Sequence, residues 1–85
     1  MSYNFELLSE SEKDHICGLN RRNDYCLTPN ILKALSVKHK NARVVKDEHT
    51  MALVEYRLTD INFHTECSMM VAGDYAAIDA VIRNW

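Results

Sequence analysis

The chain has 85 residues, of which 47% are apolar and 26% charged, with a formal net charge of −2 and three cysteines. These values argue against a disordered chain, a binder that holds nucleic acid by bulk positive charge, and a disulfide framework, since the cysteines are odd in number and irregularly spaced. A single domain, 1–85, is expected; it would bury about 60–65% of its unfolded surface, so its stability should be modest.

Met1 to Glu6 contains no basic stretch leading into an apolar run, which argues against a signal peptide. Three free thiols then suit a reducing, cytoplasmic setting. No apolar run approaches the roughly 20 residues needed to span a membrane.

Tyr3, Phe5 and Leu7 alternate with polar neighbours and suggest an edge strand or an apolar anchor. Ser9-Glu10-Ser11-Glu12 has the pattern of a capping box, predicting a helix from about 10 to 17 that stops at Gly18. Asn20 to Asp24 is a polar loop. Thr28-Pro29 then starts a second helix: the threonine is an N-cap, and proline fits the first position because its missing N–H had no partner there. That helix should run to about 38, with Ile31, Leu32 and Leu35 on its buried side.

Beyond Asn41 the pattern reads as extended. Ala42–Lys46 is a short strand, Asp47–Thr50 a hairpin connection, and Met51–Leu58 a second strand. Ala52, Val54, Tyr56 and Leu58 share one face of the latter; Glu55 and Arg57 share the other with Met51 and Leu53. Phe63–Val71 alternates as a third strand. From Asp74, Tyr75, Ile78, Val81, Ile82 and Trp85 form a helical stripe, so the chain should end on core. The expected fold is α+β: two N-terminal helices, a three-stranded antiparallel meander, and a C-terminal helix packed on one sheet face.

From Thr28 onward, the order helix, three strands, helix resembles double-stranded-RNA-binding domains in topology. That family places lysines at the start of its last helix to grip phosphates. Here those positions hold Gly73, Asp74, Tyr75, Ala76 and Ala77, so the resemblance implies a fold and not the activity.

The candidates for function are surfaces. No acid occurs from Tyr25 to Lys46, where Lys33, Lys38, His39, Lys40, Arg43 and Lys46 gather as a basic run able to meet phosphates or an acidic partner. Met51, Leu53 and Met70 place apolar area on the otherwise polar sheet face and suggest a two-fold homodimer through the meander.

Catalytic and metal chemistry has thinner support. His15-Ile16-Cys17, Cys26 and His64…Cys67 are the available ligands, but residues three apart on a strand diverge. His15 and Cys17, two apart on a helix, face different ways. His39 and His64 near the basic run are the surviving nuclease pair. Gly18 and Gly73 are isolated, which excludes a phosphate-cradling loop.

The reading is a non-enzymatic domain with no cofactor or metal that binds another protein and itself, away from membranes. It fits an accessory or regulatory protein, for example of a phage or mobile element. A nucleic-acid-binding regulator using 33–46 is the alternative, and a small-ligand or catalytic protein the third reading.

Overall fold

The computed structural model describes residues 3–23, 27–60 and 75–85, with side chains given for 75–78 excepted. A short 3-10 turn, Phe5–Leu7, precedes α1 (Glu10–Arg22), α2 (Pro29–Val44), α3 (Glu48–Thr59) and α4 (Tyr75–Arg83). Among the described residues there is no strand, and no helix is long and apolar enough to cross a membrane.

The α+β expectation is therefore corrected. Ala42–Val44 is the last turn of α2, and Met51–Leu58 lies wholly inside α3, so two of the three strands of the meander are helix. The third, Phe63–Val71, lies outside the described residues, as does Met70. The resemblance to double-stranded-RNA-binding domains falls with the meander, and so does a dimer built on a sheet face.

Local chemistry explains the helix starts. Ser9 accepts from the backbone N–H of Glu12 at 3.1 Å while the Glu12 carboxylate accepts from the N–H of Ser9 at 2.9 Å, the reciprocal capping box. Thr28 caps α2 by accepting from the N–H of Ile31, with Pro29 in the first turn. Asp47 caps α3: its side chain accepts from the N–H of Thr50 at 3.1 Å and from the Thr50 hydroxyl at 2.6 Å. The polar stretch expected to turn a hairpin is thus a helix start.

Both expected helix ends are corrected as well. α1 passes through Gly18 to Arg22, and α2 continues past 38 to Val44. Val45 caps the end of α2, and the next residue, Lys46, has a left-handed φ of 58°. Around it the N–H of Asp47 donates to the carbonyl of Ala42, and the N–H of Lys46 donates to that of Arg43. These two bonds form a Schellman motif, which usually uses glycine at the left-handed position.

α3 is the central element, since α1, α2, α4 and the 3-10 turn all pack on it. The core joins Leu35, Val54 and Leu58 of the α2–α3 hairpin, closed by residues 45–47, to Leu27 and to Ile82 of α4, with Tyr3, Ile31, Leu32, Val81 and Trp85 packed around them. Each fully buried leucine or isoleucine contributes about 1.5–3 kcal/mol by leaving water. α1 runs parallel to α3, because Glu12 meets His49, Cys17 meets Tyr56, and Asn20 meets Arg57 in ascending order.

Candidate functional site

The basic run does not form one patch. Lys33, Val37, Lys40 and Val44, spaced four, three and four residues apart, make a single outward stripe of α2, and all four are exposed. Lys38 and Arg43 are exposed but lie off that stripe, and Lys46 occupies the left-handed turn. His39 is the correction within the set. Expected on the basic surface, it points inward and is 1% exposed, because helical spacing places it on the same buried side as Leu35 and Ala42.

Inside the protein, His39 meets Glu55 of α3, with Nε2 and Oε1 3.0 Å apart. Glu55 is 5% exposed, which corrects its expected place on a solvated sheet face. The His39 ring also stands edge-on to Trp85, with centroids 5.8 Å apart. Close by, the Tyr3 hydroxyl donates a hydrogen bond to the buried carboxylate of Asp79 on α4. Burial pushes the Glu55 carboxyl above its ordinary 4.5, the His39 contact pulls it down, and the charge of Asp79 adds to the rise. Burial and the bond to Asp79 likewise push the Tyr3 phenol up.

The His39 Nδ1 is buried and lacks a hydrogen-bond partner among the described residues. A bare lone pair there is easier to accommodate than an orphaned N–H donor, which favours donation from Nε2 to Glu55. The cluster can hold and share a proton, and its central pair is sealed from solvent. Of its members from outside the basic run, Trp85 was expected in the core, whereas the burial of Tyr3, Glu55 and Asp79 together escaped the sequence reading. One signal was present: read as a helix, 48–59 places Glu55 beside the buried positions Ala52, Leu58 and Thr59.

The α1–α3 seam is polar in a different way. Asn20 is fully buried; its amide nitrogen donates to the carbonyl of Arg57 and to Asp60, and its amide oxygen accepts from Arg57 Nε. The Cys17 thiol lies 4.0 Å from the Tyr56 hydroxyl, and burial together with nearby Asp60 pushes its pKa up, against thiolate formation. Burial also raises the Tyr56 phenol, to about 12. His15 is exposed and turned into a groove, so it does not activate Cys17.

Among the described residues no group of three or more histidines, cysteines or carboxylates gathers as a metal site. Cys26, His64 and Cys67 lie outside those residues, which leaves His39 without the described geometry of a nuclease pair. Met51 and Leu53 are half-buried on α3 rather than displayed on a sheet. Lys38 and Leu53, expected on separate surfaces, line the same groove between α1, α2 and α3. Comparison with known proteins gives no match among family models, curated proteins or solved structures.

Proposed function

We propose that this chain is a non-enzymatic helical domain that binds an acidic protein surface through the outer face of α2. The observation that carries this reading is the exposure of Val37, Val44 and Val45, at 51, 77 and 72%, beside Lys33 and Lys40 on a helix with no acidic residue. Burying each valine against a partner gains about 1.5 kcal/mol, and the lysines steer an acidic surface toward them. Protein is favoured over nucleic acid because exposed valines gain little against phosphates, and the stripe itself offers only two cations to a phosphate track.

A photo-activated cross-linker placed at Val44 in cells tests this. The expected product is a discrete adduct with an acidic protein, lost when Lys33→Glu and Lys40→Glu are combined. These side chains are exposed, so the fold should survive the change. A nucleic-acid adduct, an adduct with a second copy of the chain, or an adduct indifferent to charge reversal would overturn the reading.

A further inference from the structure

The groove between α1, α2 and α3 has a volume of about 150 Å³. Leu19, Leu35 and Leu53 give it an apolar lining, one from each helix, while His15, Lys38 and Arg57 supply nitrogen groups from the same three helices. Among the described residues no carboxylate lines it.

Arg57 is the unusual member. Its guanidinium is half-buried, its Nε donates to Asn20 Oδ1 at 3.1 Å, and it makes no ion pair with any described residue. Burial lowers its pKa, and its link to Asp60 runs only through the Asn20 amide. A half-buried cation beside an apolar hollow, with a lysine and an imidazole on the same rim, is complementary to an anion carrying an apolar body.

The volume restricts the body. Drug-sized ligands occupy cavities of roughly 300–1,000 Å³, whereas an apolar cavity of about 150 Å³ accommodates a single benzene-sized group.

We infer that this groove binds an organic carboxylate with one small aromatic or branched apolar body, the carboxylate held by Lys38 and Arg57 and the body resting on Leu19, Leu35 and Leu53. This site is separate from the outer stripe of α2, so charge reversal at Lys33 and Lys40 leaves it intact.

The test is an amide-resolved NMR titration of the whole chain with phenylacetate, alongside acetate, which lacks the body, and toluene, which lacks the charge. A peptide ending in phenylalanine, with its terminus free or amidated, distinguishes a partner's terminal carboxylate from a free acid. Saturable shifts confined to α1, α2 and α3 around the groove are expected with phenylacetate or the free-terminus peptide, and weaker binding with acetate, toluene and the amidated peptide. Lys38→Gln, at an exposed position, should keep the fold and weaken the carboxylate by about tenfold, as loss of a charge-assisted hydrogen bond does. Leu53→Lys should abolish binding of the apolar body. Absence of saturation with both carboxylates, shifts centred on the outer face of α2, or equal affinity in Lys38→Gln would overturn the inference.

Discussion

α3 presents two seams of opposite character. Against α1 it uses the neutral amide of Asn20, whose oxygen and nitrogen both have partners in Arg57 and Asp60. Against α2 it buries an ionisable pair, His39 and Glu55, with one imidazole nitrogen unpartnered among the described residues and a second buried carboxylate, Asp79, near enough to act on Glu55. The amide at the centre of the first seam does not titrate. The second carries a proton whose position depends on its surroundings, so sensitivity to pH should be concentrated in the α2–α3 hairpin.

The largest effect should come from halving the ionisable pair. Glu55→Ala is expected to cost about 3–5 kcal/mol in urea unfolding, because it opens a cavity at a buried position and leaves His39 Nε2 without its partner. The double change His39→Leu with Glu55→Leu should recover most of that loss, since two apolar groups require no compensation. If the double variant is as unstable as the single one, packing rather than pairing governs this seam.

In the other seam, Asn20→Ala should cost about 2–3 kcal/mol by stranding Arg57 Nε and a buried carbonyl. Its loss should be the same at pH 5 and pH 8.

Glu55 should behave differently. Its folded-state pKa is raised, so between its ordinary 4.5 and the folded value the native state holds a proton that the unfolded chain has released. The stability it contributes is therefore complete below 4.5 and is lost as pH rises through the folded value. Urea midpoints from pH 4 to 8 should fall more steeply for the wild type than for Glu55→Gln. Parallel curves would remove the distinction between the seams.

Smaller effects sharpen the contrast at the helix ends. Lys46→Gly should stabilise the α2–α3 turn by about 1 kcal/mol, because glycine adopts the left-handed position without a Cβ penalty. In α1, Gly18→Ala should add about 0.5–1 kcal/mol, since nothing lies within 4 Å of the added carbon. His49→Ala, which removes an exposed contact to Glu12, should change thermal unfolding by no more than about 0.5 kcal/mol.

These two positions also show where sequence reasoning failed. Gly18 resembled a helix stop but lies inside α1, while the left-handed turn just after α2 falls at a lysine that carries no such signal. Backbone conformation at both was decided by whether packing on α3 continued. Val44 and Val45 resembled a strand because they are β-branched, yet both are exposed near the end of α2. The groove was invisible for a related reason: Lys38, Leu53 and Arg57 come together only once 42–58 is helical.

The sequence by itself determined the starts of α1 and α2, because a cap is a contact between residues three apart and needs no other part of the chain. It also determined the inward stripe of the last helix, where Val81, Ile82 and Trp85 pack on the core as their spacing requires. The conformation of 42–58 was decided only by the tertiary structure. α3 is covered by neighbours on several sides, so its apolar residues show no clean helical stripe, and the alternation at Ala52, Val54, Tyr56 and Leu58 suited a strand equally well. The inward turn of His39 followed from the same choice, since a histidine in a basic run is buried only when a carboxylate from a distant part of the chain is placed 3.0 Å away to receive it.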